Sequence, residues 1–573
     1  MTNNIEIAKI FSDIADILEI KSENQFRIRA YRRAAQNIEG LTEDVADITN
    51  REELLRIPGI GKDLAEKIAE FIDTGKIRFF EKLKREVPKV SLELITIPGI
   101  GPKTAKILIK QLKIKSIREL EKRAKAHKLA TLPGIRRKTE ENILRGIQII
   151  NKGRERMPLG VALPLAEEII SHLTKTPGTK QIAACGSLRR QKETIRDIDI
   201  LVTSRNPKKV MDAFVKLPLI REVLAHGSTK SSAIVKESTQ VDIRVVKPRS
   251  FGAALMYFTG SKEHNIHIRE LAAKKGFKIN EYGIFNAKTH KRLGGNTEEQ
   301  IYKILGLGFV PPELREDAGE IETAKKDKLP KLIGLNDIRG DLHVHTKASD
   351  GSNSIDELAE AAMKKGYEYI VISDHSKTLR VAGGLQEREL LNQIKAIKKI
   401  NKRFRGFRIL AGTEVDIIND GSLDFDDKIL AQLDIVIAAI HTGFKQSKEK
   451  LTMRIVKAMQ NKYVNIVSHL TGRLIGAREP YPLNLEEIFR AAKETNTALE
   501  ISAYPQRLDL NDTNSKKARE SGIMFSLGTD LHAIEHFENM RYGVSVARRG
   551  WLEKKDILNT YPAAQLLRKI KKN

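Results

Sequence analysis

The chain has 573 residues, 101 Lys and Arg against 74 Asp and Glu for a net charge of +27, 31% charged and 5% aromatic residues, and one cysteine. A single hydrophobic core stops growing beyond about 250–300 residues, so several cores in series are required and a one-domain protein is excluded. Cys185 alone rules out an intrachain disulfide and any thiolate-built zinc ribbon or iron–sulfur cluster, which fits a reducing cytoplasm. Residues 1–11 lack an apolar signal region, and no stretch approaches about 18 uninterrupted apolar residues, so neither secretion nor membrane spanning is expected. Residues 1–335 carry +20 of the excess and 336–573 carry +7, with +10 in 101–150 alone. Because those charges are interleaved with helical periodicity, they belong to a fold that meets a polyanion, with nucleic acid the first candidate.

In chain order, the first pattern is a repeat: Ile57-Pro-Gly-Ile-Gly, Ile97-Pro-Gly-Ile-Gly and Leu132-Pro-Gly-Ile-Arg each precede a segment with apolar residues every three to four positions. This is a helix-hairpin-helix pattern. Gly59, Gly61, Gly99 and Gly101 permit positive φ and leave no Cβ to hold a phosphate off, so N–H groups at the following helix start are predicted to grip nucleic-acid backbone without reading sequence. In the third copy Arg136 replaces the second glycine, which removes that close approach. The run Phe26-Arg-Ile-Arg-Ala-Tyr-Arg-Arg, the first hairpin and Phe71-Ile-Asp-Thr-Gly-Lys together resemble the small lyase domain of X-family, β-type DNA polymerases. The resemblance implies that Lys67 is a Schiff-base nucleophile for a 5′-deoxyribose phosphate. Its amine needs activation by cations such as Arg27, Arg32 or Lys62, and Asp63 stands where the family usually has lysine.

Next comes an apolar strand, a Gly186-Ser187 turn, and Asp197-Ile-Asp199 flanked by isoleucines. Residues i and i+2 of a strand share a face, so both carboxylates point to one spot, and their repulsion calls for a hard cation such as Mg²⁺. Asp242, in Val241-Asp-Ile-Arg, is on another alternating strand able to lie beside the first. Three aspartates can hold two ions, with Gly186, Ser187 and Arg190 cradling a triphosphate. The pattern again resembles X-family polymerases, and it extends to Tyr257-Phe-Thr-Gly260-Ser, Asn265, Arg269 and Glu281-Tyr282. The resemblance implies Mg²⁺ or Mn²⁺ at the aspartates. It also assigns Tyr257 and Phe258 to the incoming sugar, Asn265 to the base and Arg269 to the template, with Gly260 among the nucleotide-binding residues. Two departures stand out: Arg196 replaces a common glycine, and Gln240 replaces an arginine that binds the third aspartate in animal members.

The last pattern is a placement of histidines. His343 and His345 alternate on a strand, followed by Asp350, His375, Glu414, His441, His469, Asp530 and His532. Nearly all sit at the C-terminal ends of short apolar runs at 369–372, 409–411, 435–440, 464–467 and 525–527, with helical stretches between. That is where a β/α barrel keeps its active site. Six histidines, two aspartates and one glutamate make a mixed N/O site suited to Zn²⁺, Mn²⁺ or Fe²⁺. The set resembles the PHP (polymerase and histidinol phosphatase) family, which implies a distorted (βα)7 barrel and three clustered metals, Mn²⁺ or Zn²⁺, generating hydroxide for phosphoester hydrolysis.

The expected organisation is thus an all-α helix-hairpin-helix domain over 1–153, an α/β nucleotidyltransferase palm with a thumb-like subdomain over 154–313, a Pro- and charge-rich linker over 314–337, and a PHP barrel over 338–573. The expected function is gap-filling DNA synthesis in base-excision repair, with a 3′-5′ exonuclease or abasic-site nuclease as the second activity. Gapped or nicked duplex DNA and deoxynucleoside triphosphates are the expected ligands of a cytoplasmic monomer. A DNA-end scaffold with a degenerate polymerase site is disfavoured by the three intact aspartates. A PHP phosphatase of small molecules, with the front half as a tether, is the other alternative.

Overall fold

The computed structural model describes residues 3–39, 45, 54–55, 57, 59–95, 97, 100–154, 156–235 and 239–572. The helical N-terminal region buries two separate clusters rather than one core. The first gathers Phe11, Ile14, Tyr31, Ile60, Ile68 and Phe71, and the second Leu94, Ile100, Leu108, Leu120 and Ile143. Each hairpin turn feeds a helix. Gly61 caps Lys62–Thr74, and Gly101 caps Pro102–Leu112, whose first-turn proline lacks an N–H that would be unsatisfied there anyway. Positive φ is found at Gly59 (+82°) but not at the second glycines, which are extended with φ of −95° and −86°. A Cβ on Gly61 or Gly101 would meet nothing within 4 Å, so neither backbone conformation nor packing demands glycine there, and the space over the helix start is open. Gly99 lies outside the described residues. In the third copy the helix Arg137–Arg154 begins directly after Arg136.

The palm is a five-stranded sheet of β1 (Thr179–Ala184), β2 (Asp197–Ser204), β3 (Ile220–His226), β4 (Lys230–Val235) and β5 (Gln240–Val246), in the order β1-β2-β5-β4-β3. Only β2 and β5 run parallel. The helix Leu159–Thr174 covers one face. The thumb adds a small antiparallel sheet of β6 (Phe277–Asn280), β7 (Gly283–Asn286) and β8 (Arg292–Gly294).

Composition predicts a linker over 314–337, but the structure packs most of this segment. Leu314, Ile321 and Ala324 join the thumb core, Ile333 joins the palm and barrel core, and Glu320–Lys325 is helical. The run looks solvent-seeking only because its charges find partners inside the fold. Arg315 is fully buried and paired with Glu298 at 2.6 Å, and Glu320 is buried against His264 at 2.6 Å.

The C-terminal barrel has seven parallel strands in sequential order: β9 (Gly340–Val344), β10 (Tyr369–Ile372), β11 (Arg408–Asp416), β12 (Ile435–Ala439), β13 (Ile466–Val467), β14 (Ala498–Ser502) and β15 (Phe525–Gly528). Leu531, just past β15, bridges Val344 and nearly closes the ring. β14 is not among the apolar runs because Glu500 interrupts it, and the fold buries that glutamate for a reason given below. Palm and barrel share a continuous hydrophobic cluster, and Trp551 from the barrel enters the thumb core.

Candidate active sites

The first site forms where β2 and β5 run side by side. Their register sets Asp199 directly opposite Asp242, and Asp197 opposite Gln240, so all three aspartates share one face. Gly186 begins the short helix Gly186–Arg189 with φ of +61°, and a Cβ there would lie 2.6 Å from Asp199 Oδ2. Glycine is therefore required on two counts, conformation and space. Asp199 is pushed up to about 7, first by burial and then by the charges of Asp242 and Asp197, against Arg244 and Arg196. Such crowding of carboxylates fits a divalent cation held by Asp197, Asp199 and Asp242.

This position has a pH consequence. A cation binds the ionised carboxylate, so its affinity is full above the raised pKa and falls by about tenfold per unit as pH drops below about 7. Nucleotide incorporation at limiting Mg²⁺ is expected to follow that curve, and saturating Mg²⁺ to flatten it. A pH-independent Mg²⁺ requirement between pH 6 and 8 would contradict the assignment.

Both departures in this motif acquire roles. Gln240 Nε2 donates to the two oxygens of Asp242 at 3.1 and 3.0 Å, so an amide orients that carboxylate. Arg196 Nε pairs with Asp197 at 2.8 Å. A cavity of about 150 Å³ beside the aspartates is lined by Asp199, Asp242, Lys230, Arg244 and Phe258. Lys230 and Arg244 escaped the sequence reading. The available signal was spacing, since Arg244 is two residues after Asp242 on the same strand face, where its guanidinium stacks on Phe258 at 5.3 Å.

At the thumb edge, Tyr257 and Phe258 pack edge to face with ring centres 5.1 Å apart. Asn265 Nδ2 donates to Tyr257 O at 2.7 Å, and Arg269 Nε reaches Asn265 O at 3.3 Å. Arg190 lies against Gly260, with its Nη1 donating to Thr259 O at 2.5 Å and its Nε to Glu316 at 3.0 Å. Ser187 lies one residue into the short helix.

In the N-terminal region the Lys67 ammonium pairs with Asp63 one turn earlier and lies 5.4 Å from the Phe79 ring centre, where Arg27 stacks at 4.7 Å. Of the three cations expected to activate Lys67, only Arg27 shares that ring. Arg32 is engaged by Asp16 and Glu19 instead.

The second site occupies the C-terminal mouth of the barrel. Every strand but β14 supplies one or more of the nine residues expected there, directly or from the loop that follows it, and they converge. Among the described residues, three overlapping groups hold one ligand atom each within 4.8 Å of one another: His345, Asp350, His375 and His532; His343, His345 and Asp530; His375, Glu414 and His441. His469 Nε2 lies 2.8 Å from Glu414 Oε1, which places Glu414 at the centre. His343 Nε2, both ring nitrogens of His345 and Glu414 Oε2 are buried with no hydrogen-bond partner. Orphaned buried groups of this kind are costly, and together they offer the mixed N/O donor set that a cluster of divalent cations satisfies.

The charge pattern agrees. Burial works against ionised Glu414, yet His343, His441 and His375 hold its carboxyl well below the usual range. Asp530 is likewise held low despite burial, by His345, His343 and Arg507. His469 is pushed down to about 4 by burial and by Arg507, and so is neutral and free to ligate. Two of the residues here also carry backbone strain, His469 and Asp530 at φ of +26° and +51°.

An outer ring of acceptors sets the ring orientations and was not recognised as such from the sequence. His343 Nδ1 meets Glu500 at 2.6 Å, His441 Nδ1 meets Asp416 at 2.5 Å, and His532 Nδ1 meets the Asp530 carbonyl at 2.8 Å. Each such contact turns the opposite nitrogen, Nε2, toward the cluster. Glu500 also accepts from the His469 backbone, which explains why a glutamate interrupts β14. Asp416 had a legible signal, two residues after Glu414 on one strand face.

The class of protein defined by these two centres is an enzyme of phosphoester chemistry twice over, a nucleotidyltransferase joined to a metal-dependent phosphoesterase. Residues 2–77 match the helix-hairpin-helix domain, 91–148 the SAM-like helix-hairpin-helix tandem, 254–316 the DNA polymerase beta thumb, and 341–504 the PHP domain. A "DNA polymerase/3'-5' exonuclease PolX" of Bacillus subtilis (strain 168) is 40% identical over 570 residues, spanning 99% of both chains. DNA polymerase lambda of Rattus norvegicus is 26% identical over 344 residues, 55% of this chain and 56% of its own. A "Probable phosphatase" of Thermoanaerobacter sp. (strain X514) is 32% identical over 231 residues, 38% of this chain and 89% of its own. The chain belongs to the X-family DNA polymerases that carry a C-terminal PHP domain, the PolX enzymes. No helix among the described residues is long and apolar enough to cross a membrane.

Proposed function

We propose that this enzyme fills short gaps in duplex DNA during base-excision repair and removes nucleotides from 3′ ends, or cuts at abasic sites, at its barrel centre. The observation that carries the reading is the pairing of Asp199 with Asp242 across parallel strands, directly beneath Gly186. Asp197, Asp199 and Asp242 hold Mg²⁺ or Mn²⁺, and the nine barrel residues hold a cluster of Mn²⁺ or Zn²⁺. When bound, such cations neutralise phosphate charge and lower the pKa of the attacking oxygen.

The chain's own residues do the rest. Gln240 keeps both oxygens of Asp242 aimed, and Gly186 with Ser187 lets backbone approach the triphosphate. The Tyr257–Phe258 pair presents an aromatic edge to the incoming sugar, with Asn265 and Arg269 on the base and template side. Hairpins at Gly59–Gly61 and Gly99–Gly101 hold the duplex by its phosphates. The working form is a cytoplasmic monomer.

The test is extension of a primer across a one-nucleotide gap with Mg²⁺ or Mn²⁺, alongside digestion of a labelled 3′ end. No extension by the wild type sinks the polymerase assignment. Hydrolysis of a small phosphomonoester with no attack on DNA ends would favour the alternative of a small-molecule phosphatase, a reading supported by the likeness of the barrel to a "Probable phosphatase".

The finer proposal of 5′-deoxyribose-phosphate lyase activity rests on Lys67, whose side chain is largely enclosed and lies against Phe79 and Asp63. Borohydride is expected to trap the enzyme on an incised abasic substrate, with trapping lost in Lys67→Ala and increased in Asp63→Asn, which releases the amine from its carboxylate. Undiminished trapping in Lys67→Ala assigns the chemistry to another amine.

A further inference from the structure

Between the two centres the palm loop 190–193 is held by the barrel. This loop joins the Gly186–Arg189 helix to the strand that starts at Asp197, and three of its four residues touch barrel side chains. Arg549 Nη1 donates to Arg190 O at 2.8 Å, Ser545 Oγ donates to Gln191 Oε1 at 3.0 Å, and Arg473 forks onto both oxygens of Glu193 at 3.2 and 2.8 Å. Arg549 is the most enclosed of these, its side chain 4% exposed. Its other arm is fixed within the barrel, with Nε and Nη2 on Asp512 at 2.8 and 2.5 Å. Its Nη1 also reaches Glu316 Oε1 at 3.1 Å, the same oxygen that accepts from Arg190 Nε at 3.0 Å. Burial opposes ionisation of Glu316, but Arg190, Arg549 and Lys192 keep its carboxyl below the usual range, so it is an anion shared by two guanidinium groups.

Resting on the polymerase reading above, we propose that Arg549 of the PHP barrel is a positioning residue for nucleotide capture: it fixes the Arg190 backbone directly and the Arg190 guanidinium through Glu316. A buried arginine remains in place only where carboxylates compensate it, and its rigid planar fork specifies angles as well as charge. Asp512 and Glu316 supply that compensation from opposite domains. Arg549 therefore transmits the position of the barrel's outer helix, Met540–Arg549, to the loop that leads into Asp197. No metal ligand of the barrel takes part, so nucleotide binding depends on the barrel as a scaffold and is independent of its metal cluster.

The experiment is steady-state filling of a one-nucleotide gap by the full-length enzyme, with KM for the deoxynucleotide and kcat resolved separately, and 3′-end digestion measured on the same preparations. Arg549→Gln is expected to raise KM about tenfold with kcat within about threefold, and Arg549→Lys to recover part of that loss. Digestion of a single-stranded 3′ end is expected to match wild type in both. An unchanged KM in Arg549→Gln, or a fall in kcat alone, overturns the proposal. Should Arg549→Gln lose cooperative melting, Glu316→Gln decides in its place: the same rise in KM supports the relay, and an unchanged KM refutes it. A wild-type enzyme that fills no gap refutes the polymerase reading instead, so the two failures are distinguishable.

Discussion

Asp199→Ala lowers single-nucleotide incorporation by about 10³-fold or more at saturating Mg²⁺ and leaves 3′-end hydrolysis within about twofold of wild type. Asp199 is deeply enclosed, lies directly opposite Asp242 on the neighbouring strand and shares its face of β2 with Asp197. Removing it breaks the cation site in the middle, where neither Gln240 nor Arg196 can substitute, since both are donors that orient neighbouring carboxylates. The substitution also opens space beneath Gly186 without disturbing the barrel. A loss of only a few fold would mean that Asp197 and Asp242 suffice as ligands, and parallel loss of both activities would mean a folding defect instead.

The mirror-image result is expected from Glu414→Gln: hydrolysis of DNA 3′ ends falls by about 10²–10³-fold, bound metal measured by mass spectrometry drops, and gap filling persists. Glutamine keeps the size of the side chain and the acceptor that Ser468 Oγ uses at 2.9 Å. It removes the charge at the point where His343, His375, His441 and His469 meet. Full metal content in the variant would show that the six histidines with Asp350 and Asp530 suffice to hold the cluster. Gap filling lost together with hydrolysis would show that the barrel metals, and not only its scaffold, serve synthesis.

What could be read in the sequence was whatever chemistry is written in local spacing. Asp197 and Asp199 two apart, His343 and His345 two apart, and glycine before a helix start are all short-range patterns with a single geometric meaning on a strand or a helix. The apolar runs ending in a ligand likewise disclosed the barrel and its active face. Glu500 has no local interpretation, since a charge inside a strand gains a role only when His343 is placed beside it, 157 positions away. In the sequence Gln240 is a departure, standing where animal members have an arginine that binds the third aspartate; once the strand is built, its amide donates to both oxygens of Asp242. The segment 314–337 was misjudged for the same reason, because composition cannot distinguish charges facing water from charges facing each other.

The sequence by itself, through local spacing together with family resemblance, therefore pointed to the kinds of domain, the two kinds of centre and the side chains proposed to touch a cation. Only the tertiary structure decided which strands lie next to each other, which acceptors orient the ligands, and that the barrel grips the palm loop at Arg190, Gln191 and Glu193. The physical reason is range. Backbone conformation and burial pattern are set over a few residues, whereas the pairing of buried charges is a contact between distant segments, chosen by the requirement that none be left uncompensated.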